Sequence, residues 1–142
     1  MRAAVVSSPI DVASLIQEVA DDRHGATVVF IGTVRSTNEG RDVREIEYTA
    51  YQEMAQPEMS AILGEAGRAY EGTVLVAEHR IGLLAVGEAS IVIAAAHERR
   101  ACALDALRYA IDEIKSRVPI WKREVFSDGS HCWVDPTRAT AG

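Results

Sequence analysis

The sequence predicts an α+β domain with a largely antiparallel sheet. Strand-like segments arrive in pairs between helical ones, in the order α-β-β-α-β-β-α-β-β, which does not suit a doubly wound parallel sheet. Helical stretches keep a period near 3.6, while strand stretches alternate or run as short β-branched blocks. At 142 residues the chain has the length of one domain, taken as 1–142, with 136–142 expected to be a loose tail.

Val12, Leu15, Ile16 and Val19 lie at helical spacing between Asp11 and Asp22, after the start signals Ser8 and Pro9 and before Gly25. Ala26 to Val34 (ATVVFIGTV) reads as a mostly buried strand, and 35–42 as a polar loop. From Val43 to Tyr51, Ile46, Tyr48 and Ala50 alternate with Glu45, Glu47 and Thr49, giving a strand with one wet face. Gln52 to Tyr70 carries Met59, Ile62, Leu63, Ala66 and Tyr70 on one helical face, with Pro57 tolerable only near its first turn. Strands follow at Thr73 to Ala77 and Ala89 to Ala96, separated by the turn-rich HRIGLLAVGE. The longest helix runs from Glu98 to Arg117 with an apolar stripe of Leu104, Leu107, Ile111, Ile114 and Val118, and Pro119 ends it. Ile120 to Phe126 and the stretch around Trp133 complete the sheet.

Composition excludes several classes of function. Apolar residues make up 48% and charged residues 25%, the balance of an ordinary globular protein. No apolar run approaches the ~20 residues of a membrane span, and the N-terminus lacks a signal-peptide pattern, so a cytoplasmic location is expected, without membrane partners. A net charge of -6 argues against nucleic acid. Two cysteines and four histidines without ligand spacing give no reason to expect a metal, and Cys102 and Cys132 read as small apolar fillers.

Of fifteen basic residues thirteen are Arg, and the two lysines, Lys115 and Lys122, are seven positions apart. Lysine can surrender its proton where arginine cannot, so acid-base work would fall to this pair. Lys115 leaves the long helix near its buried stripe, and Lys122 follows in Pro119-Ile-Trp-Lys122-Arg-Glu124, where an apolar wall lowers an amine's pKa. The alternative is structural: Lys115 and Arg117 complement the helix dipole while Trp121 fills the core. Arg35, ending the first long strand after Gly32, suits a bidentate phosphate contact, with Gly32 allowing close approach of a ligand; a solvated surface arginine is the plainer reading. His97, Arg99 and Arg100 crowd a helix N-terminus, where cations are surplus unless an anion, or a carboxylate such as Glu98, joins them. His79 to Gly82 and Gly87-Glu88 read as turn and packing residues.

Three blocks, GATVVFIGTVRSTNEGRDVREIEYTAYQEMA, HRIGLLAVGEASIVIAAAHE and IDEIKSRVPIWKREVFSDGSHCWV, resemble the molybdopterin synthase large (catalytic) subunit family in order and spacing, from Gly25 to Val134. K-x-x-x-P-I-W-K-x-E is the most specific stretch. The resemblance implies an α/β hammerhead-type fold and a homodimer bearing one small ubiquitin-like sulfur carrier at each end, hence a heterotetramer. It also implies a sulfurtransferase of molybdenum cofactor biosynthesis that needs no cofactor of its own. Sulfur would pass from the carrier's C-terminal thiocarboxylate to cyclic pyranopterin monophosphate, forming the dithiolene of molybdopterin.

By position, the resemblance puts Lys115 beside the carrier's terminal glycine and makes Lys122 its acid-base partner. Thr33, Val34 and Arg35 would line the phosphate and pterin site, and Arg123 and Glu124 would adjoin Lys122. The family's His-Arg pair, sixteen and fifteen positions before the first lysine, falls here on Arg99 and Arg100, with His97 two residues earlier. Either His97 takes the histidine's place or Arg99 replaces it. Arg138 is the candidate arginine in the tail.

Overall fold

The computed structural model describes residues 1–134; the expected tail and Arg138 lie outside them. One sheet has the order β1-β5-β7-β2, from β1 (Arg2–Val6), β5 (Val74–Arg80), β7 (Ala89–His97) and β2 (Ala26–Thr33). The second runs β3-β4-β8-β9, from β3 (Thr37–Asn38), β4 (Arg41–Ala50), β8 (Ile120–Phe126) and β9 (His131–Val134), with β6 (Gly82–Ala85) also on β4. The β1–β5 pairing is parallel and the other strand pairings are antiparallel, so the α+β architecture is as the sequence predicts.

Strand β7 is central, and its parity divides the core. Ile91, Ile93 and Ala95 face α2 (Gln52–Ala69) and α3 (Arg100–Arg117), while Val92, Ala94 and Ala96 face α1 (Val12–Val19). Helix α1 starts where the Asp11 carboxylate accepts from the Ser14 amide, a side-chain N-cap. It buries Leu15 and Val19, each side chain contributing about 1.5–3 kcal/mol. The predicted face of α2 is the observed one, with Met59, Ile62, Leu63 and Ala66 fully buried.

The stripe predicted for α3 is only half right. Ala103, Ala106, Ala110 and Ile114 are buried, and Leu104 is 51% exposed. Alanines let the helix lie close against the sheet, and that close approach sets its rotation, with Leu107 and Ile111 packing at the flank. Strands β1, β3 and β6 escape the pattern reading because each is short and lies at an edge or within a turn-rich stretch.

The second sheet curls over its own small core of Val34, Val43, Ile46, Leu84 and Phe126. Residues 35–42, expected as loop, contain a two-residue hairpin: Glu39 and Gly40 have φ of 51° and 78° between the paired Asn38 and Arg41. Positive φ at both central positions gives the twist that suits a tight hairpin, and glycine takes the second without strain. The hairpin swings Asn38 over the face of β8. Helix α3 delivers the chain into β8 through Pro119, whose carbonyl accepts from the Tyr51 amide at 3.2 Å. The end of α3 and the concave face of the second sheet therefore meet beside β2.

Candidate active site between the last helix and the curled sheet

The two lysines come from different elements and reach the same hollow. Lys115 leaves the last turn of α3, whereas Lys122 lies on β8 opposite Tyr48 of β4. Cross-strand partners share a face, so Tyr48, Lys122, Ile46 and Glu124 all point into the concavity. A cleft of about 610 Å³ opens there, and Thr33, Arg35, Asn38, Lys115, Lys122 and Glu124 are among its walls. That volume suits a small-molecule ligand. Adjoining this cleft, and sharing Tyr48, Ser90, Ile91, Lys115 and Lys122 with it, is a smaller cavity of about 60 Å³ lined also by His79, Ile114, Val118 and Ile120.

The two amines have unlike surroundings. Lys122 Nζ is 3.2 Å from Glu124 Oε1, and the Glu124 carboxylate, 3% exposed, also accepts from Asn38 Nδ2 at 2.9 and 2.8 Å. Lys115 has no carboxylate partner among the described residues, and neither has Arg35. Burial of its amine, then the like charges of Lys122 and Arg35, hold the pKa of Lys115 below that of an ordinary lysine. A lowered pKa eases release of a proton from such an amine, and a guanidinium with no carboxylate partner among the described residues suits an anion.

Other predicted residues fall differently. Val34 is buried in the small core, and its backbone fixes the loop: its amide donates to Glu88 O at 3.0 Å and its carbonyl accepts from Gly87 N at 2.8 Å. Gly32 does lie at the cleft wall, and a Cβ there would stand 2.8 Å from Ile91 Cγ2. Arg123 lies on the opposite face of β8 from Lys122, facing Glu47 at 3.4 Å. Trp121 is 37% exposed and does not fill the core.

His97, Arg99 and Arg100 sit at the other end of α3. The imidazole holds the helix start, with Nε2 at 3.0 Å from the Glu71 carbonyl and Nδ1 accepting from the Arg99 amide at 2.8 Å. Arg100 and Lys115 are separated by fifteen residues of helix, or roughly 22 Å at about 1.5 Å per residue. Within one chain these two groups do not meet.

His79, Asn38, Tyr48 and Ser90 line the site, although the sequence presents His79 only as a turn or packing residue and assigns none of the four to the site. His79 continues the inward parity of Leu75 and Ala77, which places it in the core rather than in a turn. Its ring meets Tyr48 edge-on at 5.2 Å, and burial pushes its pKa down to about 4.

Comparison with known proteins agrees with this architecture. The family model described as MoaE protein matches residues 5–117. The molybdopterin synthase catalytic subunit of Oryza sativa subsp. indica is 46% identical over 123 residues, covering 87% of this chain and 64% of that protein, so the chain spans under two thirds of this relative's length. That of Bacillus subtilis (strain 168) is 39% identical over 140 residues, covering 99% of this chain and 89% of that one. The crystal structure of molybdopterin synthase from Staphylococcus aureus superposes with a TM-score of 0.88 at 35% identity, over 92% of this chain and 94% of that one. A fold, a lysine-lined cleft and matches over most of the sequence thus converge, and the chain belongs to the MoaE protein family.

Proposed function

We propose that this chain is the catalytic subunit of a molybdopterin synthase. It transfers sulfur from the C-terminal thiocarboxylate of a small ubiquitin-like carrier onto cyclic pyranopterin monophosphate, forming the dithiolene of molybdopterin. One observation carries the reading: the only two lysines of the sequence, on separate elements, converge on one cleft with Arg35, which has no carboxylate partner among the described residues. Arg35 holds the phosphate, Thr33 lines the pterin, and Lys115 and Lys122 manage protons and developing charge around the sulfur. Glu124 orients Lys122; Val34 and Arg123 act from outside the cleft by fixing the strands that bear these groups.

His97, Arg99 and Arg100 serve a cleft only when it belongs to a second copy of the chain. The reading therefore includes a homodimer in which the head of one α3 completes the partner's site, with one carrier on each subunit. No helix among the described residues is long and apolar enough to cross a membrane. The free cysteines, Cys102 and Cys132, accord with the cytoplasm as the site of action.

Lys115→Ala and Lys122→Ala, supplied with thiocarboxylated carrier and the cyclic pterin, are each expected to lower product formation at least ~tenfold with assembly intact. Full activity in both variants removes the catalytic assignment. A chain that binds carrier but yields no sulfur-containing product is a docking module instead.

A further inference from the structure

The cavity adjoining the cleft is too small for a pterin but ample for water. It holds about 60 Å³, and its walls alternate polar groups with the apolar Ile91, Ile114, Val118 and Ile120. A buried water needs a polar site with two to four partners. Tyr48, Ser90, His79, Lys115 and Lys122, each with a polar group in its side chain, are among the residues that line it. Ser90 Oγ donates to Gly32 O at 3.2 Å, which leaves its lone pairs for a donor in the cavity. His79 Nδ1 lies 2.9 Å from the Arg80 carbonyl, so Nδ1 carries the proton and Nε2 is left as an acceptor.

Chemical balance gives such a water a task. On the function proposed above, the sulfur bonds to a pterin carbon while still attached to the carrier's carbonyl carbon, and the two molecules are joined as a thioester. Release needs water: its oxygen bonds the carbonyl carbon and the carrier's carbon–sulfur bond breaks. The electron pair leaves with sulfur, which stays on the pterin as a thiolate. The carrier departs as a carboxylate, and both water protons pass through the site to solvent.

We propose that this cavity seats the water that detaches the carrier from the sulfurated pterin, and that His79 is the residue positioning it. Lys115, at the cavity wall, is placed to take the first proton, since its surroundings disfavour its charged form. Burial keeps His79 neutral at pH 7, so the ring accepts a hydrogen bond without competing for the proton.

Rapid-quench single turnovers of the full chain with thiocarboxylated carrier and cyclic pterin test this, with intact-mass detection of the covalent carrier–pterin adduct. His79→Leu is expected to accumulate the adduct and to lower the ratio of release rate to carbon–sulfur bond formation at least ~tenfold. His79→Gln, which restores an acceptor, is expected to recover part of that ratio. Tyr48→Phe, which removes one hydroxyl and spares the fold, is expected to shift the ratio in the same direction. An unchanged ratio in His79→Leu, or in Tyr48→Phe should the leucine variant not fold, overturns the proposal. A wild-type chain that makes no sulfurated pterin overturns the function on which it rests.

Discussion

Replacing Glu124 by glutamine removes one charge from the site without changing its shape. The carboxylate is 3% exposed, accepts from Asn38 Nδ2 through both oxygens, and lies 3.2 Å from Lys122 Nζ. A glutamine amide has one acceptor oxygen, and its NH₂ must face either the Asn38 amide or the Lys122 ammonium. Losing a hydrogen bond to a charged group costs about 1.5–3 kcal/mol. Breaking a fully buried pair costs about 3–5 kcal/mol, but the Lys122 side chain is 26% exposed and recovers part of its hydration. The expected loss is therefore about 2–4 kcal/mol. At roughly 3 °C per kcal/mol for a domain of this size, melting falls by about 6–12 °C. Urea unfolding followed by circular dichroism, at one protein concentration, measures it. Asn38→Ala supplies a second arm: its cost is expected to shrink by at least ~0.5 kcal/mol in the Glu124→Gln background, because the amide's partner is already impaired. A Glu124→Gln chain within ~0.5 kcal/mol of the parent, or strict additivity with Asn38→Ala, would refute this account of the clamp.

The remaining predictions concern the same face of the molecule. The pKa of His79 falls from 6.5 to about 4 on folding, so between those values the unfolded chain binds the extra proton. Stability is then full above pH 6.5 and is lost as pH falls toward 4, by about 3 kcal/mol from this residue; denaturation midpoints across that range, compared with His79→Gln, check it. Lys115→Arg keeps the charge but cannot release a proton, so sulfur transfer is expected to drop at least ~tenfold while the fold stays intact. Gly32→Ala pushes a Cβ toward Ile91 Cγ2, and unfolding titrations are expected to show a loss of about 1–3 kcal/mol, relieved when Ile91 is also made alanine.

What the sequence revealed depended on how far each pattern was local. The face of α2 and the span of β8 follow from spacing and from Pro119, and the structure keeps both. The rotation of α3 is set by alanines pressing on a sheet contributed from elsewhere in the chain, so Leu104, attractive by hydropathy, ends in solvent. The two lysines could be singled out because the chain is otherwise arginine-based, a signal of composition rather than geometry. Asn38 and His79 were missed for opposite reasons: the first sits in a hairpin that looks like loop, and the second extends a strand into a stretch that looks like turns. The separation of His97, Arg99 and Arg100 from Lys115 along α3 follows from helix rise once the helix is accepted. Its meaning needs a second subunit, which one chain's pattern does not describe.

The most direct test follows the sulfur atom itself. Carrier bearing a ³⁴S-labelled thiocarboxylate is mixed with the cyclic pterin and excess chain for a single turnover, and the pterin is weighed by mass spectrometry. The account predicts ³⁴S in the pterin with the parent chain and its loss when Lys115 and Lys122 are both alanine. Label transfer that is undiminished without the two amines would contradict it.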